Sequence, residues 1–281
     1  MRLLSVCVLT FVSLCSLRAD GQTPTPDLVH LAAAYVQRFI DGFSNVIAEE
    51  RYTQEATSPA RRRTLRSDFV VVRYPGAAQW HVFRDVFEVD GKPLRGGEHD
   101  GRLAKLFLEP ADDALGRAQQ IASASARHNI QDIGTVNNPL LTLAFLQRGY
   151  RDKFRFTVEG LEPSLGPTVR ALRFEEVLKP TILRRGGNLD LPAHGLIWID
   201  EPTGRIVKTE LRLGERPLQR SSMSWQPPST ITTVFGFDQD LGIDVPVEMR
   251  DSYPIERVDV KGVAMYSRFQ RFRVRTDATV K

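Results

Sequence analysis

Five histidines, His30, His81, His99, His128 and His194, are the residues best suited to metal ligation or proton transfer near neutral pH, and they are widely scattered. None forms the H-E-x-x-H spacing that sets two imidazoles on one helix face, and no cysteine stands nearby to complete a zinc set. His99-Asp100 in GGEHDG reads as a solvated loop, and His81 as a residue packed within a strand. In FDQDLGIDVPVE, Asp238, Asp240 and Asp244 are spaced like alternating calcium ligands. The pattern fails where a calcium loop is most demanding, because the bend position is Ile243 instead of glycine and the closing position is Met249 instead of glutamate. Two strands joined by a polar turn account for the same letters.

Nucleophile chemistry has no local signature. The chain lacks G-x-S-x-G, a P-loop, a dinucleotide fingerprint and the S-x-x-K with K-T-G combination. Two paired acids, Glu49-Glu50 and Glu175-Glu176, lie in extended patterns, where neighbours point to opposite faces and cannot act on one bond. Two arginine-rich stretches offer cationic surface. SPARRRTLR, residues 58 to 66, reads as a solvated turn entering a strand, and RFQRFRVR, residues 268 to 275, as a half-buried last strand. Single-strand nucleic-acid platforms interleave aromatics and arginines in the second way. A formal charge of +4 over 281 residues is weak for such a binder, and no nucleic-acid partner is expected. No catalytic residue, metal ligand or cofactor site is therefore nominated.

The elements that would position any site follow from periodicity. Leu28, Leu31, Ala32, Tyr35, Val36, Phe39, Ile40 and Phe43 recur at three- and four-residue steps, which predicts an amphipathic helix docked on a core. From about residue 45 the period turns toward two, giving strands at 45–57, 64–74 and 78–89, the last ending at Asp90-Gly91. Between about 96 and 148 the pattern is helical again, with Leu115, Ala118, Ile121, Ala122 and Ser125 on one side and a short apolar helix in LLTLAFL. Strands then persist to the C-terminus. Leu172 and Phe174 alternate with Arg173 and Glu175, and Val207, Thr209, Leu211 and Leu213 alternate with Lys208, Glu210 and Arg212. The chain is 42% hydrophobic and 26% charged, which supports a packed core. The order helix, strands, helices, strands predicts an α+β fold with a single curved antiparallel sheet, an N-terminal amphipathic helix and a helical insertion at about 96–148.

The first residues predict export. Arg2 precedes an uncharged run from Leu3 to Leu17, and Ala19-Asp20-Gly21 follows at cleavage spacing, so residues 1–21 read as a signal peptide and 22–281 as one exported domain. Both cysteines, Cys7 and Cys15, fall in that leader. The exported chain then has neither disulfides nor thiolate chemistry. No later run approaches the roughly 20 apolar residues of a membrane span. The periplasm or the extracellular space is the expected compartment.

WIDEPTGRIVKTELR, then ITTVFGF, then LGIDVPVEMR, resembles the bacterial lipoprotein-localisation (LolA-like) family. The likeness lies in an apolar strand from Trp198 to Asp200, a turn at Pro202 to Gly204, a charged return strand from Val207 to Arg212, and a later strand pair over Gly242 to Met249. It covers residues 194–275, extends faintly over 26–90, and is absent from the helical segment. The resemblance implies a half-open antiparallel barrel, apolar within and partly lidded by helices, that carries or senses acyl chains.

Two stretches are apolar on both faces. Trp80, Val82 and Val86 oppose Phe83, Phe87 and Val89, and Leu196 to Ile199 are apolar throughout. The surplus suggests a hollow lined by Trp80, Phe83, Trp198 and Phe235, filled by a lipid or the acylated end of a lipoprotein. Two other functions stay open at this point: an envelope protein-interaction module without ligand, and a hydrolase whose site the sequence does not display.

Overall fold

The computed structural model describes residues 25–73, 80–94, 101–108, 113–130, 135–136, 138–185, 189–214, 229–255 and 258–272. The leader at 1–21 and the His99-Asp100 loop lie outside these.

An amphipathic helix, α1 (Thr25–Gly42), opens the fold and ends at a corner made by Asn45, whose φ of 58° lies in the left-handed region that asparagine tolerates. The Asn45 side chain accepts a hydrogen bond from the Arg73 backbone at 3.1 Å, and its carbonyl accepts one from Phe272 at 2.9 Å. This corner joins the helix to two strand ends at once. A meander follows: β1 (Val46–Thr57), β2 (Ala60–Val72), β3 (His81–Val89) and the two-residue β4 (Lys92–Pro93). Four helices come next: α2 (Arg102–Leu108), α3 (Ala114–Ala126), and the single-turn α4 (Leu141–Ala144) and α5 (Arg148–Arg151). The chain then forms β5 (Phe154–Leu161), β6 (Val169–Glu176), a small β7–β8 hairpin (Arg184–Arg185 and Leu189–Asp190), β9 (Ala193–Asp200), β10 (Arg205–Leu213), β11 (Ser229–Asp238), β12 (Ile243–Ile255) and β13 (Val258–Arg271).

Eleven strands make one sheet in the order β4-β3-β2-β1-β13-β12-β11-β10-β9-β6-β5, every ladder antiparallel. The last strand pairs with the first, Tyr52 standing opposite Ala264, while β4 and β5 are the two edges. A sheet of this many twisted strands curls without closing, which is a half-open barrel.

The insertion divides between the two faces. On the outer face α2 and α3 cover Val70, Val72 and Phe83 with Leu103, Leu106, Phe107 and Ala118. The chain then reaches the inner face, where Ile130 packs on Ala56 and Val260, and Leu140, Leu143, Phe145 and Leu146 join the main core. The two-faced apolar strands are thereby explained. In β3, Val82 and Val86 face the inner core while Phe83 stacks on Phe107 outside. In β9, Ile197 and Ile199 face inward, whereas Trp198 and Leu196 form a small outer cluster with Val169, Ala171 and Val207, and the Lys208 ammonium sits 4.6 Å from the Trp198 ring centre. Val207 departs from the expected alternation because the β9–β10 register shifts between Ile206 and Lys208. That bulge turns Ile206 into the core and Val207 outward.

Candidate functional site

The inner face has an apolar half and an ionic half. Over the apolar half α1 lies across the strand ends and buries Leu28, Ala32, Val36, Phe39, Ile40 and Phe43 against Ile199, Ile206, Phe235 and Val245. Phe39 is the hub: its ring centre lies 5.1 Å from that of Phe43 in a stack, 6.0 Å from Phe235 and 6.4 Å from Trp80 in edge contacts. Polar ties fasten the helix at its rim. The Tyr35 hydroxyl donates to Asp244 at 2.8 Å, and Arg205 Nε donates to the other oxygen of the same carboxylate at 2.8 Å. Burial, then the Asp244 charge, pushes the Tyr35 pKa well above its ordinary value. Gly204, at φ 70°, lets the β9–β10 turn approach the helix, since a Cβ there would sit 2.6 Å from the Leu31 carbonyl oxygen.

Beside it, β1, β3, β12 and β13 contribute a buried charge cluster. Glu50 is wholly buried and accepts hydrogen bonds from Ser67 at 3.1 Å, Tyr266 at 3.1 Å and Arg84 at 3.5 Å. Arg84, itself 6% exposed, lies over the Tyr52 ring at 5.4 Å and donates to Asn129 Oδ1 at 2.9 Å. Tyr52 donates to Asp251 at 2.8 Å. Burial raises the Asp251 pKa to about 7, and the nearby Glu50 charge adds to the rise while hydrogen bonds from Tyr52 and Tyr253 and the Arg84 charge oppose it. Gly262, opposite Asp251 on β13, makes the pairing possible, because a Cβ there would stand 2.2 Å from Asp251 Oδ1 and 2.4 Å from the Tyr52 ring. The sheet also binds the covering segment directly: Gln54 Oε1 accepts from the Ile130 amide at 3.0 Å, and the Tyr253 hydroxyl from the Val136 amide at 2.8 Å.

The four residues expected to line one hollow are divided among three clusters. Trp80 and Phe235 meet at Phe39 beneath α1; Phe83 lies under α2 on the outer face, and Trp198 is in the outer cluster beside Lys208. Trp80 and Phe235 share the inner wall, whereas the side chains of Phe83 and Trp198 alternate to the other face. The paired acids separate as expected: Glu49 faces Arg66 and Arg268, whereas Glu50 faces inward. Asp244 ties down α1, and Asp238 caps its turn by accepting from the Leu241 amide at 2.8 Å. The ionic half is absent from the sequence reading. Its available signal was an acid in the inward phase of a strand, in the series Val46, Ala48, Glu50, Tyr52, Gln54. A shallow outer cleft of about 380 Å³ between α2 and α3, lined by Arg102, Leu106, Arg117, Gln120, Ile121 and Ala124, is separate from both halves.

An uninterrupted antiparallel half-barrel with an amphipathic helix laid across its inner wall is the architecture implied by the resemblance of residues 194–275 to the lipoprotein-localisation family. No family model and no curated protein matches the chain. Among solved structures, a putative outer membrane lipoprotein-sorting protein domain from Vibrio parahaemolyticus is similar at 10% identity over 92% of this chain and 95% of that one, with a TM-score of 0.44. A DUF1329 family protein from Desulfovibrio piger is similar at 11% identity over 91% and 95%, with a TM-score of 0.36. The Pseudomonas aeruginosa MucA/MucB complex gives 10% identity, 85% and 98% coverage, and a TM-score of 0.23. The fold class rests on the sheet order and registers of this chain itself. No helix among the described residues is long and apolar enough to cross a membrane.

Proposed function

We propose that this is an exported, non-catalytic carrier whose inner wall takes an apolar ligand, a lipid or the acyl chain of a lipoprotein, in exchange for the apolar stripe of α1. The observation that carries the reading is the nature of the cover. A helix satisfies its peptide groups internally, and α1 meets the wall through Leu28, Ala32, Val36, Phe39 and Phe43, so it can lift away without breaking sheet hydrogen bonds. What it uncovers is Ile199, Ile206, Phe235, Val245 and Trp80, a surface to which hydrocarbon is as well matched as the helix. Each methylene of a bound chain contributes about 0.8 kcal/mol of burial, so a medium-length acyl chain can offset exposure of the stripe. The wall is therefore read as an exchange surface instead of a standing hollow.

The test uses protein purified without detergent. Solvent extraction and mass spectrometry should recover a co-purifying lipid, and an apolar fluorescent probe should show saturable uptake by the delipidated protein. Indifference to the probe, with capture of one defined envelope protein, would replace the carrier by the interaction-module reading. Turnover of an ester or glycan would replace it by a hydrolase.

A further inference from the structure

Nine large apolar side chains are exposed among the described residues, and three of them, Val177, Leu178 and Leu189, belong to the connection between β6 and β9, at 44%, 52% and 59% exposure. The connection is firmly built. The buried Glu176 carboxylate accepts from the Ile182 amide at 2.7 Å and the Ala193 amide at 3.2 Å. Asp190 accepts from the Thr181 amide at 3.0 Å, and Thr181 Oγ1 accepts from the Leu191 amide at 3.0 Å. Ile182 and Leu183 pack inward on the main core. A segment fixed at this many points, with two apolar side chains turned in, still presents three others to water, which marks an interaction surface.

Cations frame the same connection. Lys153 Nζ donates to the Pro180 carbonyl at 2.6 Å, Lys179 adjoins Leu178, and Arg184 stands 3.5 Å from Asp190. Protein interfaces are typically depleted in lysine and enriched in aromatic side chains, and this connection has lysines and no aromatic at its exposed apolar positions. Aliphatic tips beside cations suit the boundary of an anionic bilayer, where the tips enter the acyl region and the cations meet phosphate groups. We infer that the β6–β9 connection, through Val177, Leu178 and Leu189, docks the protein on an anionic lipid surface. The inference stands apart from the ligand reading of the inner wall, because it concerns another end of the molecule and needs no movement of α1.

The test is co-sedimentation of the purified protein with vesicles of phosphatidylcholine alone or mixed with phosphatidylglycerol, at low and high salt. Binding to the mixed vesicles, weakened by salt, is expected. Leu178→Ser combined with Leu189→Ser should weaken it about tenfold, and Lys153→Gln and Lys179→Gln about fivefold each. Leu108→Ser, an exposed apolar change on α2, should bind like wild type, and unchanged melting temperatures show that the surface variants fold. Absence of binding to mixed vesicles, equal binding to neutral ones, or wild-type binding by the Leu178/Leu189 variant would overturn the inference. So would light scattering that shows a dimer dissociated by the same two changes. Probe uptake by the inner wall can fail while vesicle binding holds, so the two readings are separable.

Discussion

The two halves of the inner face hold their covers by different physics. Under α1 the contact is apolar and non-directional, the kind of contact that the proposed hydrocarbon ligand would reproduce. Under residues 127–130 and 135–136 the contact is directional: Arg84 to Asn129, Gln54 to the Ile130 amide, and Tyr253 to the Val136 amide. Lifting that cover would leave buried donors and acceptors unmatched, and an apolar ligand could not replace them. On the proposed reading one curved sheet carries an exchangeable cover and a fixed one, and the charge cluster marks where exchange would stop.

The largest expected effect breaks the fixed half. Arg84→Met leaves Glu50 and Asp251 buried without their cation, which should destabilise the fold by about 3–5 kcal/mol in urea unfolding. A loss below about 1 kcal/mol would mean that the cluster is solvated and the contrast between the halves is false.

A smaller effect comes from pH. The folded Asp251 pKa, near 7, lies above the ordinary 3.8, so the folded protein holds a proton that the unfolded chain releases at lower pH. This group's contribution to stability is fully present below about pH 4 and is lost as pH rises through about 7. Urea unfolding across that window should show wild type losing stability relative to Asp251→Asn, by up to a few kcal/mol. Parallel profiles would remove Asp251 from the buried cluster.

The smallest effect sharpens the exchangeable half. Tyr35→Phe deletes the hydrogen bond to Asp244 and keeps the ring in place, so stability should fall by about 1 kcal/mol. If the bond restrains the cover, apolar-probe affinity should rise about fivefold as the helix lifts more readily.

Much of this organisation is legible in the sequence where one period prevails. The stripe of α1 and the alternation in β6 forecast both the elements and their buried faces. Where consecutive residues are all apolar, as in Leu196 to Ile199, a period of two cannot say which face is inner, and Trp198 lies on the outer one. Phe83 shows the same ambiguity, because nothing in its own strand announces that α2 covers the outer face there. The ionic half was hidden for another reason. Glu50 lies in the inward phase, but its partners Ser67, Arg84 and Tyr266 come from three other strands, and only the registers bring them together.

The central claim is tested most directly by locking the cover. A Cβ built on Gly42 lies 3.9 Å from the Ile243 Cβ, within the roughly 3.5–4.5 Å that a disulfide spans. Gly42→Cys with Ile243→Cys, in a chain whose Cys7 and Cys15 are replaced by serine, can therefore be compared oxidised and reduced in one apolar-probe titration. Exchange at the wall predicts that the oxidised form takes up probe at least about tenfold more weakly than the reduced form, a difference of about 1.4 kcal/mol. Equal uptake by both forms would show that α1 does not gate the site and would contradict the account.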